Sequence, residues 1–367
     1  MRYIIRLLLI ATISFSACSA DDEVADQEVA ENTDFPDFTV LQLQSGDFFE
    51  LFNFEADTQS GTTALIMADL GVPQNAIGFS ITDHTAGFYY ENGSAYIVNI
   101  EDRTTTFLPN YFDSASGARH QWSRNAGDTL ITGFYTDEFS EELNIRFNGI
   151  VDFSPTDFSL PFFNRDARKR IVGNILYLFQ NTANTSYVSV FDISEKKLIG
   201  NLQFPDEVTQ NVFVEPEANT LWVRTLDNIY TYDLHTLQRL ETSPNTNGIV
   251  IFRYDDVVNG NVFFAGDYQQ PASLEASPFI YNIITGEETR VDIRPAIASI
   301  KETENFSQLL LYGISYLPEE NMWLQSYGAI TASGSSEGGI FKINASGEII
   351  ARLVLPVIPD FVVLKAN

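Results

Sequence analysis

The run Tyr230-Thr231-Tyr232-Asp233-Leu234 sets an Asx residue among apolar residues ahead of a polar turn, and the phrase returns along the whole chain. Variants stand at Phe52-Asn53-Phe54, Val98-Asn99-Ile100, Val151-Asp152-Phe153, Phe191-Asp192-Ile193, Tyr281-Asn282-Ile283 and Ile343-Asn344. The Asx positions are separated by 46, 53, 40, 41, 49 and 62 residues, the length of one four-stranded propeller blade. Seven such phrases predict an all-β chain closed into a seven-bladed β-propeller, with six and eight blades as the neighbouring solutions.

A second phrase has the same period. A turn residue precedes an apolar or aromatic pair at Asn174-Ile175-Leu176-Tyr177, Asn219-Thr220-Leu221-Trp222, Asn261-Val262-Phe263 and Asn321-Met322-Trp323. Looser copies are Asp128-Thr129-Leu130-Ile131 and Gly87-Phe88-Tyr89. Asn, Asp and Gly tolerate the positive φ of tight hairpins, and Asn259-Gly260 is the strongest such signal. This phrase is expected to mark the turn from a blade's innermost strand to its second. The first phrase then marks the end of the third strand, where the Asx side chain bonds the backbone of the following turn.

Blades two to seven are expected at residues 77–108, 119–161, 165–204, 208–241, 248–293 and 305–355. Strands near 38–43, 48–54 and 63–67 give blade one only three members. Phe361-Val362-Val363-Leu364-Lys365 reads as its missing innermost strand, so that both ends of the chain close one sheet and hide its edges.

The composition agrees with a large closed domain. Of 367 residues, 44% are hydrophobic and 19% charged, and Phe (29) and Tyr (16) far outnumber Trp (3), as pleated, half-buried surfaces favour. Lys plus Arg is 21 against 49 Asp plus Glu, a formal charge of −28. Nucleic-acid binding depends on neutralising phosphates, so a nucleic-acid partner is excluded. The acidity reads as solubility outside the cell.

The amino end reads as a targeting segment. Arg2 and Arg6 precede an apolar run at 7–15, then Ser16, Ala17 and Cys18. The run is too short for an ordinary membrane span. Cys18 is the one cysteine, so no intramolecular disulfide forms. Phe15-Ser16-Ala17-Cys18 resembles a bacterial lipobox. That resemblance implies a signal peptide over 1–17, lipid (palmitate among the acyl chains) on Cys18, and an anchor in the outer membrane of a Gram-negative cell. The alternative is cleavage by an ordinary signal peptidase, leaving a free thiol. Removing 1–17 takes away two arginines and no acids, bringing the charge to −30. The acids that follow resemble the export tag of surface lipoproteins. Residues 18–37 read as an acidic, disordered tether and 38–367 as one propeller domain.

Tyr232-Asp233-Leu234 and Asn219-Thr220-Leu221-Trp222-Val223 resemble phrases of YVTN-type and quinoprotein-like β-propellers, although no Tyr-Val-Thr-Asn phrase and no cofactor signature is present. The resemblance supports the fold, and no cofactor is expected. Surface propeller lipoproteins similar in layout work beside outer-membrane transporters, some capturing iron–siderophore complexes. By analogy this implies a surface-exposed ligand-binding lipoprotein, with a transporter or other surface protein as partner.

His84, His120 and His235 lie far apart, none with a ligand partner at metal-site spacing. Asp255-Asp256 with Asn259-Gly260-Asn261 lacks the spacing and terminal Glu of a calcium loop. No nucleophile elbow, phosphate loop or dinucleotide fingerprint occurs, so neither a metal nor a catalytic set is assigned. A propeller lyase or lactonase-like hydrolase is the enzyme alternative. Basic residues do cluster, in Arg165-Asp166-Ala167-Arg168-Lys169-Arg170 and Arg119-His120-Gln121-Trp122-Ser123-Arg124. Both runs are expected where the innermost strands of blades four and three begin, on a face shared with long loops at 266–278 and 328–339. Arginine forks beside an aromatic ring bind carboxylate, phosphate or planar anions. Arg119, His120, Trp122, Arg165, Arg168 and Arg170 are therefore the candidate ligand-binding residues. Pairing of these cations with neighbouring acids, on a face that docks another protein, is the competing expectation.

Overall fold

The structure is a computed structural model that describes residues 34–44, 48–65, 69–82, 85–114, 117–136, 142–161, 168–182, 184–246, 251, 256–266 and 277–364. Cys18, His84, Arg165 and Asp255 lie outside the described residues. Seven four-stranded antiparallel sheets form a ring. From the inside outward, blade one is β28 (Phe361–Leu364), β1 (Phe38–Gln44), β2 (Phe48–Glu55) and β3 (Ser60–Leu65). Blade two is β4 (Gly78–Ile81), β5 (Thr85–Tyr89), β6 (Ala95–Asn99) and β7 (Thr105–Leu108). Blade three is β8 (Arg119–Ala126), β9 (Thr129–Tyr135), β10 (Glu142–Gly149) and β11 (Pro155–Pro161). Blade four is β12 (Arg168–Val172), β13 (Ile175–Asn181), β14 (Thr185–Asp192) and β15 (Lys197–Pro205). Blade five is β16 (Thr209–Glu215), β17 (Thr220–Thr225), β18 (Asn228–Asp233) and β19 (Arg239–Pro244). Blade six is β20 (Asp256–Val258), β21 (Asn261–Gly266), β22 (Ser277–Asn282) and β23 (Glu288–Arg290). A ten-residue helix, α1 (Arg294–Thr303), leads into blade seven: β24 (Phe306–Leu317), β25 (Met322–Thr331), β26 (Ser336–Asn344) and β27 (Ile349–Leu355). The blade number and closure agree with the sequence expectation, as do the blade limits apart from blade six, expected from 248, whose first strand starts at Asp256; six and eight blades are set aside.

Each blade is covered on both faces by its neighbours. Clusters of buried side chains therefore alternate with the blades, one at each of the seven interfaces. A strand buried on both faces loses the polar/apolar alternation, as the wholly buried β9 does, where Leu130, Ile131, Phe134 and Tyr135 are joined by buried Thr129 and Thr132. Aromatic rings tie the layers: Phe263 of blade six stacks on Tyr316 of blade seven at 3.6 Å, and Tyr316 lies 4.8 Å from Trp323. Such pairs add roughly 0.5–1.5 kcal/mol each beyond the area they bury.

The two recurring phrases meet at one end of the blades. Backbone N–H groups after the third strand donate to the inner hairpin of the same blade: Ile150 to Asp128, Ile193 to Asn174, Leu234 to Asn219 and Ile283 to Gly260, at 2.8–3.1 Å. Side chains join them, with Asn219 Nδ2 donating to Asp233 Oδ2 at 2.7 Å and Asn282 Nδ2 to Asn261 Oδ1 at 3.0 Å. Asn99, Asp192, Asp233, Asn282 and Asn344 each accept backbone N–H bonds from the turn that follows. These bonds hold the Asp192 and Asp233 carboxyls below their ordinary range.

Three expectations need correction. In blade three the position equivalent to Asn99 is Gly149: Gly149 N donates to Ser154 O as Asn99 N does to Thr104 O. Asp152 sits three residues later; it accepts from Ser154 N at 3.1 Å, as an Asx turn should, and its carboxylate occupies the space a side chain on Gly149 would need. Asn53 stops two residues short of the end of β2 and forms no turn. Its Oδ1 accepts from Thr39 at 3.0 Å and its Nδ2 donates to Ile100 O of blade two at 2.8 Å. Gly87 lies inside β5, because blade two turns between β4 and β5.

In blades two, four and five the residue four beyond the Asx is a hook onto the preceding blade. Arg103, with φ 58°, reaches Thr62 O at 3.1 Å, and Lys196, with φ 49°, reaches Ser154 O at 2.9 Å. Leu237, with φ 53°, fills the space left by Gly200.

Closure has its own apparatus. β28 pairs antiparallel with β1, Phe38 opposite Leu364 and Leu41 opposite Phe361. The chain reaches that position by crossing blade seven over glycines. A Cβ on Gly338 would meet Val357 O, and one on Gly313 would lie 3.2 Å from Asp360 O. At the other end of β1, Phe35 is buried with Phe38, Phe54, Leu324 and Ile340, so packing starts ahead of the expected boundary at 38. The fully buried Lys342 of β26 donates to Asp34 O at 2.7 Å and pairs with Glu320 Oε2 at 2.6 Å. Removing one partner of a buried ion pair strands the other, but Glu320 is partly exposed and can be rehydrated. Lys342→Met is expected to cost about 2–3 kcal/mol and to lower Tm by about 5 °C in a thermal melt, with Glu320→Gln, which leaves the fully buried ammonium without its counter-charge, costing at least as much.

Candidate functional site

The described basic residues lie on the innermost strands, Arg119 at the start of β8, Arg124 toward its end, and Arg168, Lys169 and Arg170 at the start of β12. Of the candidates, Arg119, His120 and Trp122 are on β8 and Arg168 and Arg170 on β12, while Arg165 lies outside the described residues. The expected loop at 328–339 is not long: β25 runs to Thr331 and β26 starts at Ser336. The loop at 266–278 is flanked by β21 and β22, and residues 267–276 lie outside the described residues.

A bulge decides which way the β8 residues face. In a regular strand, residues two apart share a side. Here His120 pairs with Phe134 and Trp122 with its neighbour Gly133, so Gln121 is the extra residue of a β-bulge. His120 accordingly faces blade two and Trp122 faces blade four.

On the blade-two side His120 sits in an aromatic nest, its ring centroid 6.1, 5.6 and 5.7 Å from those of Tyr89, Tyr111 and Phe112. Its Nε2 is 2.9 Å from Ser123 Oγ, which is 3.1 Å from Thr132 Oγ1. Burial, with Lys169 nearby, pushes its pKa down to about 4. His120 is therefore neutral at pH 7. Burial likewise pushes the Tyr89 phenol up to about 12 despite its 2.5 Å bond with Ser80 Oγ.

On the blade-four side the Trp122 indole lies flat on Gly133, within 2.5 Å of where a Cβ would stand. It packs with Leu176 and Phe191, and Lys169 Nζ lies 4.8 Å over its ring. Strand alternation turns Arg168 and Arg170 the other way, toward blade five. Arg168 Nη1 donates to Gln210 O at 2.7 Å, with its guanidinium 6.0 Å from the Phe179 ring centroid. Arg124 Nη1 donates to Ser123 O at 3.2 Å. The structure thus gathers Arg119, Arg124, Arg168, Lys169 and Arg170 on two adjacent inner strands. It separates His120 from them, and it adds Lys169, which the sequence shows only as one member of a basic run. His235 is exposed in the turn after Asp233. Among the described residues, no group of three His, Cys, Asp or Glu side chains is placed to hold a metal ion.

The chain is a seven-bladed β-propeller. No protein-family model and no curated protein matches it. Among solved structures it is similar to the dihydro-haem d1 dehydrogenase NirN in complex with DHE, at 10% identity and a TM-score of 0.47, over 94% of this chain and 78% of that one. It is also similar to the WD40 β-propeller domain of Doa1, at 12% identity and a TM-score of 0.38, over 76% of this chain and 81% of that one.

Two outcomes test the geometry. The folded His120 pKa lies below the ordinary 6.5, so the unfolded chain takes up a proton between about 6.5 and 4 that the folded chain refuses. Stability should fall as pH drops through that window, by at most about 2–3 kcal/mol. His120→Gln should flatten that part of a stability–pH curve measured by denaturant titration. Gly133→Ala should displace the indole, red-shift tryptophan emission and cost about 2–3 kcal/mol, read from fluorescence and a thermal melt.

Proposed function

We propose that this protein is a binding module that takes an anionic ligand where the innermost strands of blades three and four begin. One observation carries the reading: Arg119, Arg168, Lys169 and Arg170 stand at the starts of two neighbouring inner strands, β8 and β12, in a chain of formal charge −28. Against that acidic background the two strands form a local positive field, which draws and orients anions. Arginine supplies paired donors suited to carboxylate or phosphate, and the half-buried positions of β12 strengthen each charge–charge contact by lowering the local dielectric. An iron–siderophore complex is one anion of suitable chemistry.

In this proposal the module is held at the outer membrane by lipid on Cys18, exposed at the cell surface and working beside a transporter or other surface protein. The lipobox-like Phe15-Ser16-Ala17-Cys18 and the acidic stretch after it support that placement. Citrate titrated calorimetrically into the wild-type chain and into Arg168→Gln/Arg170→Gln tests the site. The double variant should raise the citrate Kd at least about tenfold, as loss of charge-assisted bonds implies, while Tm moves by less than about 3 °C. Equal affinity for the two chains would remove the site. Incorporation of labelled palmitate into the wild type but not into Cys18→Ser tests the anchor.

A further inference from the structure

The turns after the third strands lie at the end of the ring opposite the starts of the inner strands. On four consecutive blades these turns, or the outer strands that leave them, hold apolar side chains in water. Val151 in the blade-three turn, Ile284 in the blade-six turn and Leu240 at the start of β19 are 78%, 70% and 61% exposed, the three most exposed large apolar side chains among the described residues. Val151 stands two residues beyond Gly149 and Ile284 two beyond Asn282; Glu101, Ser194, His235 and Ser346 hold that apex position in blades two, four, five and seven. Phe153, at the hook position of blade three with φ 54°, is also exposed. In blades four and five the outer strand bulges just past its turn. Ile199 is the extra residue opposite Val190 and Phe191, and Leu240 the extra residue opposite Thr231 and Tyr232, so neither has a cross-strand partner to cover it.

Two further features share this end. The described chain enters the ring here: Asp34 O accepts from Lys342, and Phe35 O accepts from Gln59 Nε2 at 3.3 Å, in the turn between β2 and β3. Cys18 stands sixteen residues ahead of Asp34, a reach of at most about 55 Å. The turns also carry negative charge. Hydrogen bonds within them hold the Asp102, Asp152, Asp192 and Asp233 carboxyls below their ordinary range.

We infer that this end of the ring lies on a zwitterionic lipid surface, with Val151, Phe153, Ile199, Leu240 and Ile284 entering the boundary between headgroups and acyl chains. This rests on the lipid-anchored reading above and adds the face that the domain turns to the lipid. The apolar side chains are separate prongs spread over four blades. A deformable surface takes them all at once, whereas a rigid protein partner needs a pocket for each. The carboxylates select among lipids, since anionic headgroups repel them and choline or ethanolamine headgroups offer an ammonium group. Contact through a few partly inserted side chains is weak and reversible by itself. A lipid on Cys18 raises the local concentration of the surface and makes the contact persist.

The test is co-sedimentation with vesicles of the chain from residue 18 onward carrying Cys18→Ser, which has no acyl group. It is expected to pellet with phosphatidylcholine vesicles at millimolar lipid, and at least about threefold less with vesicles that are half phosphatidylglycerol. Val151→Ser/Ile284→Ser should lower the partition coefficient at least about tenfold with Tm unchanged, both positions being exposed. Ile77→Ser/Leu226→Ser, at exposed positions on the opposite end, should leave it as it is. No sedimentation with phosphatidylcholine would overturn the inference, whatever palmitate incorporation shows of the anchor. Equal losses from the two double variants would overturn the choice of face. Tighter binding to the phosphatidylglycerol vesicles would overturn the zwitterionic surface.

Discussion

The ring exists because a four-residue strand from the carboxyl end completes a sheet begun near residue 38. β28 is the innermost member of blade one, hydrogen-bonded to β1 and packed beside β24. Without it blades seven and two would face each other across a gap, with the edge of β1 and the apolar clusters on either side open to water. Everything nearby serves that contact. Gly313 and Gly338 let the chain cross blade seven against bare backbone. Gln42 Oε1 accepts from Ile358 N at 3.1 Å, and Asp360 N donates to Leu41 O at 3.1 Å. Lys342 fastens the other end of β1 to blade seven.

Much of this was legible in the sequence because turn chemistry is local. An Asx side chain that bonds the backbone two or three residues on, or an Asn or Gly that adopts positive φ, acts within a few residues of itself, and the spacing of such residues carries the blade period. What escaped either lacks a side chain to mark it or depends on residues roughly a blade apart. Asp152 has the right neighbours for the phrase, yet the turn is registered on Gly149, a residue with no side chain to advertise it. Asn53 also looks right, but its carboxamide serves Ile100 of the next blade. The hooks from Arg103, Lys196 and Leu237 follow no side-chain type, only a shared position and backbone conformation.

The site divides in the same way. The basic residues, and the inner strands that carry them, follow from composition and period. Which way each side chain points does not, because it depends on one inserted residue, Gln121, opposite a partner strand that does not bulge. The sequence groups His120 and Trp122 as one unit, whereas the fold sends them to opposite faces of blade three. Burial among Tyr89, Tyr111 and Phe112 then deprives His120 of the charge its residue type suggests.

The latch at Lys342 also bears on how the domain carries force. A pull applied ahead of Asp34 runs along β1, which is zipped to β28 on one side and β2 on the other. Both ladders are then loaded lengthwise, so many hydrogen bonds share the strain at once instead of opening singly from an end. The ammonium clamped on the Asp34 carbonyl passes part of that load into blade seven before the ladders feel it. A domain tugged from its amino end is thus resisted by shear across two neighbouring sheets.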